Sequence, residues 1–130
     1  MKPWINNTLT LVAILLLLAT SCTKNSDSTP VGTYTRMKII DGETWPINLT
    51  FTEDGNLVWE PVDSIPSHVT SVVSYRLEGD NQIVFYNDTD CNSEGTYEYF
   101  LNGETLNLQA KVEECLPREA ALSGDWQRIP

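Results

Sequence analysis

Three cysteines, one histidine and a surplus of carboxylates are where this chain could do chemistry. The cysteines stand at 22, 91 and 115. No two form the Cys-x-x-Cys pair that thiol–disulfide catalysis uses, and no nearby histidine completes a zinc set. His68 follows Ile65-Pro66-Ser67 without the partners a metal site or a general base needs, so it reads as a loop histidine. Ser64, Ser67 and Ser71 surround it without a nucleophile-elbow pattern. The spacing Asp88-x-Asp90-x3-Glu94 offers hard oxygen donors of the kind calcium takes. The full helix-flanked calcium loop is missing, and a solvated charged surface is the default reading. No nucleophile, base and orienting group come together. The chain therefore reads as a non-enzyme with no cofactor and no metal.

Cys22 has a different context. Lys2 supplies a positive start, Leu9–Ala19 an apolar centre, and Thr20-Ser21 small residues before the cysteine. Those are the three parts of an export signal. The apolar run is shorter than the roughly 20 residues a membrane span needs. The string Leu18-Ala19-Thr20-Ser21-Cys22 resembles a bacterial lipoprotein signal, with Ala19 where that pattern carries leucine. The resemblance implies cleavage before Cys22 and acyl chains such as palmitate on its mature end. A simple secreted leader, with Cys22 as a disulfide partner, is the alternative. Cysteine parity favours acylation, because removing Cys22 leaves Cys91 and Cys115 as a pair. An exported setting permits their oxidation. Closing that loop stabilises by roughly 3.5 kcal/mol through the entropy of the unfolded chain.

Three segments follow. Residues 1–21 are the signal peptide, 22–31 a flexible polar tether, and 32–130 one domain with a modest core. The 8 Lys/Arg against 18 Asp/Glu give a formal charge of −10. Such a balance disfavours nucleic acid and anionic membrane as electrostatic partners.

Apolar residues alternate with a period of two along nearly the whole domain. Inward sets are Trp45-Ile47-Leu49-Phe51, Val69-Ser71-Val73-Tyr75-Leu77, Ile83-Phe85, Tyr97-Tyr99-Leu101 and Leu106-Leu108-Ala110-Val112. Asp41-Gly42, Asp54-Gly55-Asn56, Gly79-Asp80-Asn81 and Asn102-Gly103 punctuate them as turns. The pattern predicts strands at 33–40, 45–52, 56–60, 69–78, 81–88, 95–102, 104–113 and 119–128. The run Pro117–Leu122 is given a turn of helix at most. Eight sequential antiparallel strands can close into an up-and-down barrel, and a two-sheet sandwich is the rival arrangement. In a barrel, connections 41–44, 61–68, 89–94 and 114–118 share one end, an open mouth. Tight hairpins close the other. Cys91 and Cys115 both fall at the mouth.

The motifs Gly32-Thr33-Tyr34, Cys115-Leu-Pro-Arg118 and Leu122-Ser-Gly124-Asp-Trp126-Gln-Arg128 resemble those of small bacterial lipocalin-like lipoproteins of the calycin type. The resemblance covers residues 31–130. It implies an all-β, eight-stranded antiparallel up-and-down lipocalin-like barrel. In lipocalins a late arginine packs across the tryptophan of an opening Gly-x-Trp motif. Here Tyr34 replaces the tryptophan, Arg128 takes the arginine's role, and Arg118 lies at the opposite end.

Trp45, Phe51, Trp59, Tyr75, Phe85, Tyr97 and Tyr99 share the inward register and are the candidate ligand-binding residues. Aromatic walls with a few hydroxyls suit a small apolar or amphipathic ligand. A barrel this small can equally be filled by its own side chains and act as a structural or protein-interaction module. Asp41, Glu43, Asp63, Asp88, Asp90, Glu94, Glu113 and Glu114 map to an acidic rim that would repel anionic ligands. The expected site of action is the bacterial cell envelope at the outer membrane, with the membrane reached through acylated Cys22. The anchor reading has a direct check. Cys22→Ser is expected to move the protein from the membrane to the soluble fraction on cell fractionation. Equal partitioning of the two forms would reject the anchor.

Overall fold

The computed structural model describes residues 29–130. The segment read as a signal peptide, Cys22 and the expected tether up to residue 28 lie outside the described residues. Eight strands close into one antiparallel up-and-down barrel in chain order, with the last bonded to the first. They are β1 (Gly32–Ile40), β2 (Glu43–Phe51), β3 (Asn56–Pro61), β4 (Ser71–Glu78), β5 (Gln82–Tyr86), β6 (Gly95–Asn102), β7 (Thr105–Val112) and β8 (Gly124–Arg128). A helix, α1 (Leu116–Leu122), lies between β7 and β8.

Local chemistry explains most boundaries. Asp41 and Gly42 both have positive φ, 52° and 84°, as a two-residue hairpin turn requires. They set the β1–β2 register from Ile40↔Glu43 to Gly32↔Phe51. The predicted eighth strand, 119–128, is corrected. Its first half is helical because Pro117 occupies the first turn and Arg118-Glu119-Ala120-Ala121-Leu122 are good helix formers. Four residues predicted to face inward are exposed: Val69, Ser71, Leu77 and Val112. Ser71 and Leu77 lie toward the two ends of β4, where the barrel wall opens to solvent. Val69 lies outside β4 and is 77% exposed. Val112 is 63% exposed, because a bulge shifts the β6–β7 register between Thr96 and Tyr97. The same bulge leaves Glu113 as the next residue to turn inward, and its side chain is 1% exposed.

β8 has five residues against nine in β1, and the two pair only at Tyr34↔Arg128 and Thr35↔Gln127. Arg128 secures this short seam at the hairpin end. Its guanidinium carbon lies 4.9 Å from the Tyr34 ring centroid. Its Nη2 donates to the Tyr34 hydroxyl at 2.7 Å, and Nη1 to the Val31 carbonyl. Pro30 is fully buried, so the tether's last described residues pack onto the domain. Arg128→Ala is expected to cost about 2 kcal/mol, the sum of a partly buried cation–π contact and a charge-assisted hydrogen bond. A lowered urea midpoint with an unchanged slope would show it. An unchanged midpoint would mean that the seam does not depend on this residue.

Candidate functional site

Alternation on β2, β4, β5 and β6 sends Phe51, Tyr75, Phe85, Tyr97 and Tyr99 into the barrel, as the sequence pattern requires. Phe51, Tyr75, Phe85 and Tyr97 meet one another and Tyr34, and Tyr75 also borders a surface hollow at the hairpin end beside Val31, Gly55 and Leu77. Tyr34 stands 6.3 Å edge-to-face from Phe51, Phe51 5.2 Å from Tyr75, and Phe85 5.1 Å from Tyr97. Phe51 and Phe85, 6.4 Å apart, join the two halves across the interior. Tyr34, Phe51, Phe85 and Tyr97 are 0–1% exposed, so these rings are packed against protein on nearly every side. The Tyr75 hydroxyl donates to the Thr52 carbonyl and the Tyr99 hydroxyl to that of Asp80, both in hairpin-end turns. Burial raises the pKa of each tyrosine.

Trp45 and Trp59 are only half-buried and lie toward the mouth. The Trp59 Nε1 is enclosed without a hydrogen-bond partner among the described residues. Two side chains that the strand pattern does not mark complete the core there. Ile65, from the β3–β4 loop, is 6% exposed, and Leu122, from α1, is 3% exposed. Trp126 of β8 is the largest buried side chain and donates its Nε1 to the Leu122 carbonyl at 2.8 Å.

Charge enters the interior at α1. Arg36 and Lys38 share the inward face of β1 with Tyr34, and both reach the C-terminal end of the helix. Arg36 Nη1 donates to the Ser123 carbonyl at 2.7 Å, and its guanidinium lies 4.3 Å from the Trp126 ring centroid. Lys38 Nζ donates to the carbonyls of Ala120 and Ala121. Cations at a helix C-terminus satisfy its free carbonyls and favour its dipole. Burial, with Arg36 nearby, lowers the Lys38 pKa to about 8. Gly124, at φ 113°, leaves room for Arg36, whose Nη1 a β-carbon there would strike.

The other end of α1 is held by Arg118, whose side chain is 2% exposed. It donates from Nε to Glu113 Oε2 at 2.7 Å and from Nη2 to Glu113 Oε1 at 2.8 Å and the Ser93 carbonyl at 2.9 Å. Asp88 Oδ2 lies 3.5 Å from Nη1. The Tyr97 hydroxyl donates to Glu113 at 2.7 Å, and the Cys115 amide does so at 2.9 Å. Burial alone would raise the Glu113 pKa, but hydrogen bonds from Arg118, Tyr97 and Cys115 outweigh it and hold the carboxyl low. Burial and the Glu113 carboxylate together raise the Tyr97 pKa. Gly95 leaves space for this cluster, since a β-carbon there would strike both Glu113 and Arg118. The Cys91–Cys115 disulfide ties the same β5–β6 loop to the start of α1.

The acidic rim is therefore divided. Asp41, Glu43, Asp63, Asp90 and Glu114 are exposed, whereas Glu113 and Asp88 turn to Arg118. Glu94 turns to Arg76 on the outer face, at 2.9 Å. The three oxygen donors considered for calcium thus diverge, and among the described residues no cluster of metal-binding side chains forms. His68 lies 3.5 Å from Asp41 at the rim. Neither a protein-family model nor a curated protein matches the chain.

Glu113→Gln is expected to destabilise the domain by roughly 3 kcal/mol at neutral pH, because it leaves Arg118 buried without its main counter-charge. The folded pKa of Glu113 is depressed, so its contribution is present above the ordinary carboxylate value near 4.3 and is lost as pH falls through the lower folded value. Denaturant curves of both forms should converge as the pH drops below about 4. A gap that stays constant with pH would contradict the assignment.

Proposed function

We propose that this is a lipid-anchored envelope protein whose filled, lipocalin-like barrel acts as a structural or interaction module rather than as a carrier. The observation that carries the reading is the continuous aromatic packing from Tyr34 through Phe51 and Phe85 to Tyr97, whose members are 0–1% exposed. A carrier of the same size would keep a pocket of about 300 Å³ or more. The lipocalin-like reading is supported by the Gly32-Thr33-Tyr34 opening and by Arg128 lying across Tyr34. Ligand capture, if it occurred, would fall to Trp45 and Trp59 at the mouth.

The anchor reading supplies an orientation. The chain enters the barrel at its hairpin end, where Pro30 is buried. From Cys22 to Pro30 the tether spans at most about 28 Å. The hairpin end would then sit near the bilayer, with α1 and the acidic rim pointing away. Work at the barrel wall and rim is open to an envelope partner in this arrangement.

Titration with N-phenyl-1-naphthylamine, an uncharged apolar probe, tests the filled interior. We expect no saturable change in tryptophan emission. A saturable change that Trp59→Ala weakens, in a variant whose folding is intact, would restore the carrier reading.

A further inference from the structure

The outer wall formed by β6, β7 and β8 carries a polar face around one exposed aromatic ring. Phe100, Asn102, Thr105, Asn107, Gln109 and Asp125 line a shallow groove of about 450 Å³ there. The register fixes their order. Asn102 stands opposite Thr105 and Phe100 opposite Asn107, while Asn107 and Thr105 face Asp125 and Gln127 on the next strand. Phe100 is 43% exposed, an aromatic ring on the solvent side of a strand.

The polar side chains around that ring are oriented by one another. Gln109 Nε2 donates to Asn107 Oδ1 at 2.9 Å, and Asn107 Nδ2 donates to Asp125 Oδ1 at 2.6 Å. Thr105 Oγ1 donates to Gln127 Oε1 at 3.3 Å. Each amide has two N–H donors and an acceptor oxygen, so each keeps hydrogen-bonding capacity beyond these contacts. The face therefore offers one flat apolar surface beside a row of mutually oriented amides and a hydroxyl, with a single carboxylate, Asp125, at its edge.

We infer that this groove binds a neutral polysaccharide or oligosaccharide, an inference that rests on the barrel being an interaction module. A sugar ring has an apolar C–H face that can lie on Phe100 and a belt of hydroxyls that planar amides can pair with. Charge selects against other polymers. No cation lines the groove, its single formal charge is the Asp125 carboxylate, and the neighbouring Lys111 is tied to Glu98 at 2.9 Å. With a chain charge of −10, nucleic acids and acidic polymers are repelled. A protein interface would want a larger apolar centre than one phenylalanine supplies.

The test uses ¹⁵N-labelled full-length protein in detergent, with cellohexaose, maltohexaose and chitohexaose as neutral probes and dextran sulfate as the charged one. At least one neutral hexasaccharide should saturably shift the side-chain NH₂ signals of Asn102, Asn107, Gln109 and Gln127. The backbone amides of Phe51, Phe85 and Tyr97 should not move. Phe100→Ala and Asn107→Ala should each weaken binding about tenfold with the melting temperature retained, since both side chains face outward. Silence with all neutral probes, equal binding of dextran sulfate, or unchanged affinity in Phe100→Ala would overturn the groove assignment alone. Concentration-dependent shifts on this face without saccharide would assign it to a second copy of the chain, and overturn the inference too. Shifts confined to the core amides would overturn both this inference and the filled-barrel reading beneath it.

Discussion

The barrel is closed by only two residue pairs between β1 and β8, and much of the mouth-end architecture compensates for that short seam. Beyond Thr35, β1 continues for five more residues without a β8 partner. Helix α1 stands in the chain between β7 and β8 at this end, and it is fastened on both sides. Arg36 and Lys38 hold its C-terminal carbonyls, while Arg118 and the Cys91–Cys115 disulfide hold its start. The wall is thus completed by side-chain cations and a covalent staple where backbone pairing ends. A small domain with a modest core gains most from such devices.

The interior follows from size. The strands have five to nine residues, and the inward positions of a short eight-stranded barrel are few and close together. Placing tyrosine, phenylalanine and tryptophan at those positions occupies the space that smaller residues would leave to a ligand. The same aromatics carry hydroxyls that are satisfied locally, at Thr52, Asp80, Glu113 and Arg128. These inward hydroxyls thereby tie strands to turns and to neighbouring charged side chains.

The strand order and inward register were legible because period-two alternation and Gly-Asp-Asn turns are local signals. Tyr34 and Arg128 could be paired because the lipocalin resemblance supplies an arginine over the opening aromatic and the strand order brings both residues to the hairpin end. The β8 boundary was harder, because Ala120-Ala121-Leu122 suits a helix as well as an inward-facing strand end. Val112 and Glu113 exchange faces through a bulge, which leaves no mark in a binary pattern. Arg36 and Lys38 follow Tyr34 at period two, yet inward charges are read as solvent-facing unless their carbonyl partners on α1 are known. Ile65 enters the core from a loop, where periodicity does not apply. Whether seven inward aromatics surround a ligand or touch one another depends on their depth along the barrel. Composition does not encode it.

The central claim is that side chains fill this barrel. A high-resolution crystal structure of protein purified from its native source, never denatured or stripped with solvent, tests it most directly. The account predicts continuous protein density from Tyr34 through Phe51 and Phe85 to Tyr97, with α1 seated at the mouth and nothing foreign between them. Elongated density inside the barrel that protein and water cannot explain, with those rings displaced around it, would contradict the account.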